Sequence, residues 1–255
     1  MGLTIAAGVA FREHAPGGAE GPPLVLLHGA GGSHRTWPEE LRELPGRRVL
    51  PVDLPGHGDA PLPGERTVQG YADAVRDMLD ALGIGRAVLA GHSMGGAVAL
   101  ALALGSPERV AGLLLVGTGA RLRVLPALLE ASADPARAAD VAATLAGASL
   151  GPGAPAGLRG WLEAEILRTP PGVLHGDFAA CDGFDVRERL GEIRAPARVV
   201  VGAMDALTPP RYAEFLAAGL GAGEPVVVAE AGHLVTREAP EAVRAAAEGL
   251  LARVG

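Results

Sequence analysis

The sequence has no lysine, no asparagine and a single cysteine, Cys181, and each shortage excludes a class of protein. Without lysine there is no P-loop lysine for nucleotide phosphates, no Schiff base for pyridoxal phosphate and no ordinary kinase lysine. One cysteine rules out an intramolecular disulfide and a cysteine-rich zinc site, and we expect an inert core thiol. The lack of asparagine and lysine fits adaptation to heat and GC-biased coding equally well.

Long apolar runs, a secretory signal pattern and blocks of like charge are also missing. No run reaches the roughly eighteen apolar residues of a membrane span, so we expect a cytoplasmic protein without membrane association. The formal net charge of -7 is spread along the chain, so we expect no nucleic-acid partner. A length of 255 residues with 49% hydrophobic content predicts one large globular domain, or a core with an insertion.

The most informative stretch is residues 91–95, Gly-His-Ser-Met-Gly, which matches the G-x-S-x-G pattern of a nucleophile elbow. An apolar run at residues 87–90 precedes it and an Ala/Leu-rich stretch at residues 97–104 follows it, which predicts a strand, a sharp turn and a helix. Small residues on either side of the serine let the strand and helix pass closely. The pattern therefore predicts Ser93 as a nucleophile.

Short apolar runs alternate with helical patterns along most of the chain, which predicts an α/β fold with a mostly parallel sheet covered on both faces. An N-terminal hairpin is expected at residues 3–13, turning near Ala7 and Gly8. The further predicted strands are residues 24–27, 48–52, 87–90, 110–116, 197–201 and 225–229. Residues 118–190 show only short helical patterns. We therefore predict a helical cap at 118–190, inserted into a core of residues 1–117 and 191–255.

A serine hydroxyl is a poor nucleophile near neutral pH, so it needs a base and a group that orients the base. In an elbow fold these follow the nucleophile in the order acid, then histidine, in loops at the carboxyl ends of strands. Asp205 follows the predicted strand 197–201, and His233 follows the predicted strand 225–229. We predict that Ser93 attacks an acyl carbon, that His233 carries the proton and that Asp205 fixes the imidazole tautomer.

Acyl transfer also needs hydrogen-bond donors for the oxyanion of the tetrahedral intermediate. The expected donors are the backbone N–H of Met94, directly after the nucleophile, and that of Ala30. Ala30 lies in a glycine-dense loop, residues 28–33, that follows the first fully apolar strand. Such a loop leaves N–H groups free to face an anion.

The remaining histidines and one aspartate are weaker candidates. His28 and His57 lie in glycine-rich loops and His92 lies inside the elbow, so we predict structural roles for all three. Asp53 precedes the nucleophile in the chain, which disfavours it as the acid of the triad. His34 either borders the pocket or caps a helix.

Taken in order, five stretches of the chain resemble the α/β-hydrolase fold family. They are residues 28–31 (His-Gly-Ala-Gly), 53–58 (Asp-Leu-Pro-Gly-His-Gly), 91–96, 202–205 (Gly-Ala-Met-Asp) and 232–233 (Gly-His). The resemblance covers the chain from about residue 20 onward, apart from the predicted cap. It implies an eight-stranded sheet with helices on both faces and a cap inserted after the sixth strand. Serine at the elbow distinguishes this chain from the haloalkane dehalogenases and epoxide hydrolases of the family, which are similar but have aspartate there.

These features predict a cofactor-independent serine hydrolase, without a metal, that cleaves small to medium carboxylic esters through an acyl-enzyme. Its expected partner is a small-molecule acyl substrate. Hydrolysis of lactones, thioesters or carbon–carbon bonds, and peracid formation, could use the same triad, and the sequence leaves them open. A ligand-binding protein on this fold would be expected to lack a triad or oxyanion position, and none is missing here. The residues predicted to line the substrate pocket are His34, Trp37, Leu125, Leu128, Trp161 and Phe178.

Overall fold

The computed structural model describes residues 2–254, which form a mixed sheet of eight strands. The strands are β1 (Leu3–Ala6), β2 (Val9–Arg12), β3 (Leu24–Leu27), β4 (Val49–Asp53), β5 (Ala87–His92), β6 (Val110–Val116), β7 (Ala197–Gly202) and β8 (Val226–Val228). Their spatial order is β1-β2-β4-β3-β5-β6-β7-β8. β1 and β2 pair antiparallel, as do β2 and β4, and all other neighbours are parallel. The predicted mostly parallel sheet is thereby confirmed.

Ten α-helices accompany the sheet in the described range. They are α1 (Glu39–Arg42), α2 (Val68–Ala81), α3 (Met94–Gly105), α4 (Pro126–Ser132), α5 (Ala138–Ser149), α6 (Leu158–Ile166), α7 (Pro171–Asp182), α8 (Pro210–Leu220), α9 (Val235–Glu238) and α10 (Pro240–Val254). Within residues 2–254, none of these helices has the length and apolar character needed to cross a bilayer.

The central strands are buried because helices cover both faces of the sheet. β3, β5 and β6 are buried along their whole length and are almost entirely apolar, as expected for strands covered on both sides. One apolar cluster packs α2, α3 and α8 on one face, and a second packs α1 and α10 on the other. β5 lies between β3 and β6, so its carboxyl end opens at the middle of the sheet. Ligands of open parallel sheets bind at such an edge.

Helices fill the stretch between β6 and β7. α4 to α7 lie there, and the described residues of this stretch form no strand beyond a single bridge between Arg121 and Asp185 near its two ends. The helices share an apolar cluster of their own, which includes Val141, Leu162 and Phe178. This segment therefore packs partly on itself and partly on the sheet.

One predicted helix is interrupted. Residues 36–44, with Trp37 and Leu41 spaced i, i+4, have the pattern of a single short helix, but the structure has a 3-10 turn at His34–Thr36 and then α1. Trp37 and Pro38 between them have extended backbone, with ψ of 130° and 160°. A proline disfavours helical conformation in the residue before it, which explains the break.

Candidate active site

The elbow forms at the carboxyl end of β5, where Ser93 links the strand to α3. Ser93 has φ 53° and ψ -118°, a strained conformation for a residue with a side chain. A Cβ on Gly91 would lie 2.3 Å from the Gly95 carbonyl oxygen, and a Cβ on Gly95 would lie 2.3 Å from the Leu27 carbonyl oxygen. Glycine is therefore required at both positions, because the strand, the turn and the helix pass within contact distance of one another.

The structure brings Ser93, His233 and Asp205 together in one hydrogen-bonded chain. His233 Nε2 lies 2.9 Å from Ser93 Oγ, and His233 Nδ1 lies 2.9 Å from Asp205 Oδ2. Asp205 follows β7 and His233 follows β8, so the parallel sheet delivers both loops to the edge that carries the elbow. The three side chains are thus in contact in the order that a nucleophile, its base and an acid that orients the base would require.

Asp205 is held by Thr208, which the sequence analysis did not identify. The Thr208 hydroxyl donates to Asp205 Oδ2 at 2.8 Å, and the Thr208 and Leu207 amides donate to Asp205 Oδ1 at 2.8 and 2.9 Å. Burial by itself would raise the pKa of Asp205, but His233 and these donors lower it, so the carboxyl group stays ionised. The Asp-x-x-Thr spacing after a strand, typical of a local side-chain turn, was the signal that could have indicated Thr208.

His92 supports the site through the backbone of His233. Its Nε2 donates to the His233 carbonyl oxygen at 2.9 Å, and the two rings lie 4.9 Å apart. Burial and the neighbouring His233 ring lower the pKa of His92 to about 3. His92 is therefore a neutral donor that helps to fix the loop of His233.

The glycine-dense loop after β3 passes directly against Ser93. A Cβ on Gly29 would lie 3.1 Å from the Ser93 Cβ. Within residues 2–254, the backbone N–H groups of Ala30 and Met94 have no hydrogen-bond partner. The Met94 amide also begins α3, where the helix dipole favours negative charge. Both amides are thus available to an anion beside Ser93.

A cavity of about 440 Å³ opens over Ser93 and His233. Of the residues predicted for the pocket, Leu125, Leu128 and Phe178 line it. Leu162, another apolar residue of the predicted cap, lines the cavity too, together with residues that the sequence pattern did not indicate, namely Leu122, Val124, Leu145, Ile166 and Tyr212. Cys181 also lines the cavity, and burial raises the pKa of its thiol, so it stays protonated and unreactive.

The other three predicted pocket residues lie away from the cavity lining. His34 Nδ1 pairs with Asp53 at 2.9 Å, behind the loop. Trp37 has no exposed surface and packs in the cluster beneath α10. Trp161 is half-buried against the apolar cluster of α4 to α7, and the Arg237 guanidinium lies 4.3 Å from its ring centroid. The prediction that these three residues line the pocket is therefore wrong. Each side chain instead contacts a different polar or apolar partner away from the cavity.

His34, Asp53 and Asp59 offer ligand atoms within 4.8 Å of one another, which is a spacing that could hold a metal ion. The Asp53 carboxylate, however, already accepts from the His34 amide at 2.7 Å, from the His34 ring at 2.9 Å and from the Asp59 amide at 3.1 Å. Asp59 in turn pairs with Arg12 at 2.8 Å. Because both Asp53 oxygen atoms have donors and Asp59 is paired with Arg12, these carboxylates brace the loops.

A second buried ionic cluster joins the core to α7. His57 Nε2 lies 2.8 Å from Asp177 Oδ2, and the Tyr71 hydroxyl donates to Asp177 Oδ1 at 2.6 Å. His57 and Asp177 have no exposed surface. Burial has the largest single effect and would lower the pKa of His57, but the charge of Asp177, the hydrogen bond to Asp177 and the backbone of Pro55 and Leu54 together raise that pKa above its ordinary value.

This pair predicts a pH dependence of stability. A pKa raised in the folded state adds stability below the unfolded value of 6.5, and that stability is lost as the pH rises through the folded value. We expect the free energy of unfolding, measured with urea from about pH 6 to about pH 9, to fall by up to about 1.4 kcal/mol per pH unit in that window. His57→Gln cannot titrate and should lack this component; equal slopes in both proteins would contradict the assignment.

Comparisons with known proteins agree with this architecture. A family profile described as "Alpha/beta hydrolase family" matches residues 24–246. The pimeloyl-acyl carrier protein methyl ester esterase of Neisseria meningitidis serogroup C is 31% identical over 229 residues, covering 82% of this chain and 86% of that protein. A putative carbamate hydrolase, RutD, of Variovorax paradoxus is 33% identical over 242 residues, covering 82% of this chain and 83% of that protein.

A solved structure is similar over the full length. A thermophilic esterase from Thermogutta terrifontis, solved with malate bound, superposes with a TM-score of 0.85 at 29% identity, covering 100% of this chain and 99% of that one. The matched family profile and these similar proteins identify the chain as a hydrolase. The chain belongs to the alpha/beta hydrolase family.

Proposed function

We propose that this protein is a serine hydrolase that cleaves carboxylic esters with small to medium acyl groups through an acyl-enzyme on Ser93. The observation that carries the proposal is the continuous contact from Asp205 through His233 to Ser93 Oγ at the floor of a largely apolar cavity. Esterases among the similar proteins support the same reaction class.

In the proposed mechanism, His233 Nε2 takes the hydroxyl proton as Ser93 Oγ attacks the acyl carbon. The carboxylate of Asp205 stabilises the resulting imidazolium, and the Ala30 and Met94 amides hydrogen-bond the oxyanion. The intermediate collapses when His233 returns the proton to the leaving alcohol oxygen. Water then attacks the acyl-enzyme with His233 again as base, which releases the carboxylic acid and restores the serine.

The proposed cap, residues 118–190, supplies most of the apolar wall. α4 contributes Leu128, α5 contributes Leu145, α6 contributes Leu162 and α7 contributes Phe178, whereas Ser93 and His233 belong to the core. An acyl chain would therefore lie between the proposed cap and the edge of the sheet. The volume of about 440 Å³ is in the usual range of small-molecule pockets.

This geometry predicts a limit on acyl length. For p-nitrophenyl esters from acetate to palmitate, we expect kcat/KM to rise about fourfold per methylene, because each buried CH₂ contributes about 0.8 kcal/mol, until the cavity is full. Palmitate should be a poor substrate. Leu162→Trp fills part of the cavity and should move the optimum to shorter esters, whereas Leu167→Trp, at an exposed position, should not.

The ester series also tests the function itself. Turnover of short or medium esters supports it. Absence of turnover across the whole series would overturn the ester assignment, and labelling of Ser93 by a fluorophosphonate would then direct attention to lactones, thioesters or carbon–carbon bonds. Absence of both turnover and labelling would favour a binding protein on this fold.

A further inference from the structure

Both backbone groups of Gly31 are bonded to residues of the segment between β6 and β7. The Gly31 amide donates to Asp177 Oδ2 at 2.9 Å, and the Gly31 carbonyl accepts from the Thr169 hydroxyl at 3.1 Å. Gly31 has φ 65°, and a Cβ there would lie 2.9 Å from Leu174 Cδ1. The loop that carries Ala30 therefore has its conformation fixed from α7 and the residues just before it.

Asp177 binds three donors from three parts of the fold. Besides the Gly31 amide, it accepts from His57 Nε2 at 2.8 Å and from the Tyr71 hydroxyl at 2.6 Å. The side chain is fully buried. Burying a carboxylate destabilises the fold unless its oxygen atoms are hydrogen-bonded and its charge is balanced. Asp177 therefore requires these three partners.

The ring of His57 supplies the balancing charge. Its Nε2 faces the carboxylate and its Nδ1 lies 3.1 Å from the Pro55 carbonyl oxygen, so both ring nitrogens face acceptors and the imidazolium satisfies both. The neighbouring His28 ring, whose centroid lies 4.7 Å from that of His57, is by contrast neutral. Its Nε2 accepts from the Leu54 amide at 3.0 Å, and burial together with His57 lowers the pKa of His28 to about 4.

The bond from Asp177 bears directly on the oxyanion donor. The Gly31 amide and the Ala30 carbonyl share one peptide plane, so holding the Gly31 N–H fixes the backbone on the carboxyl side of Ala30. Gly29, on its other side, is confined by Ser93 and His92. An oxyanion donor contributes to catalysis only when it is aimed in advance at the developing charge, and small displacements are expensive.

We propose that Asp177 is a positioning residue for the oxyanion hole, holding Gly31 from α7 so that the Ala30 amide faces the reacting carbonyl oxygen. This inference rests on the proposed serine hydrolase function. Ester cleavage then requires the segment between β6 and β7 to be docked on the glycine-dense loop, in addition to lining the cavity.

The test compares Asp177→Asn with Asp140→Asn, which makes the same chemical change at an exposed position of α5. An asparagine amide has one acceptor oxygen, cannot receive all three donors and leaves His57 without a counter-charge. We expect kcat for a p-nitrophenyl ester to fall about 10- to 100-fold with KM within about threefold of the wild type. Affinity for a trifluoromethyl ketone, whose serine adduct carries an oxyanion, should fall by the same factor as kcat.

Thr169→Val is a second test variant, and it leaves no buried charge unpaired. It removes the donor to the Gly31 carbonyl and should lower kcat about three- to tenfold with KM unchanged. The inference is overturned if folded Asp177→Asn and Thr169→Val keep the kcat of Asp140→Asn, or if only the melting temperature or KM changes. If Asp177→Asn does not fold, Thr169→Val decides alone. A wild-type protein that cleaves no ester would instead overturn the proposed function.

Discussion

Replacing Ser93 with alanine is expected to lower kcat for ester hydrolysis by about 10⁴- to 10⁶-fold. The loss should be this large because the acyl-enzyme cannot form without the hydroxyl, and only the oxyanion donors and substrate binding remain. The fold should persist, since the side chain makes its hydrogen bond with His233 alone among the described residues. Steady-state hydrolysis of p-nitrophenyl butyrate, with circular dichroism of the same samples, measures both quantities.

Ser132→Ala is a matched control for that experiment. Ser132 Oγ also lies beside a histidine, 2.9 Å from His175 Nδ1, but it is in a helix and donates to the Leu129 carbonyl oxygen. No aspartate or glycine-dense loop completes a site there within the described residues. Activity of the control should match that of the wild type. Equal activity of Ser93→Ala and wild type would contradict Ser93 as the nucleophile.

Asp205→Asn is expected to lower kcat by about 10⁴-fold. The carboxylate holds His233 with its proton on Nδ1, which leaves Nε2 free to accept the proton of Ser93. An asparagine can present its NH₂ group to Nδ1 and stabilise the opposite tautomer, so the base would face the serine with a proton already in place. The loss should appear in kcat and in the rate of fluorophosphonate labelling alike.

Asp53→Asn provides the contrast, because Asp53 is also a buried aspartate paired with a histidine, His34. Its bonds brace two loops and do not reach Ser93, so the variant should lose stability while kcat per labelled active site stays within about tenfold of the wild type. The reverse result, with Asp53→Asn inactive and Asp205→Asn active, would reassign the acid.

The fold and the triad follow from local patterns combined with one rule of topology. The Gly-His-Ser-Met-Gly stretch indicates its own strand, turn and helix. Asp205 and His233 each follow an apolar run, and parallel strands bring their carboxyl ends to one edge. The local patterns and this rule of topology are therefore enough to predict that Ser93, Asp205 and His233 meet.

Contacts between residues far apart in the sequence could not be predicted from local patterns. Asp177 meets Gly31 across 146 positions, and neither residue belongs to a pattern that indicates the other. The pocket was predicted from apolar and aromatic stripes, which mark burial but not the direction in which a side chain points. Trp37 illustrates the difference, because Pro38 breaks the expected helix and Trp37 packs into the core.

The measurement that tests the central claim most directly is isolation of the acyl-enzyme. The protein would be mixed with p-nitrophenyl acetate, quenched in acid during the initial burst, digested and analysed by mass spectrometry. The account predicts one acetyl group on the peptide that contains Ser93, and no acetylation of that peptide in Ser93→Ala. Ester turnover with no acyl group on Ser93, or with the acyl group on another residue, would contradict it.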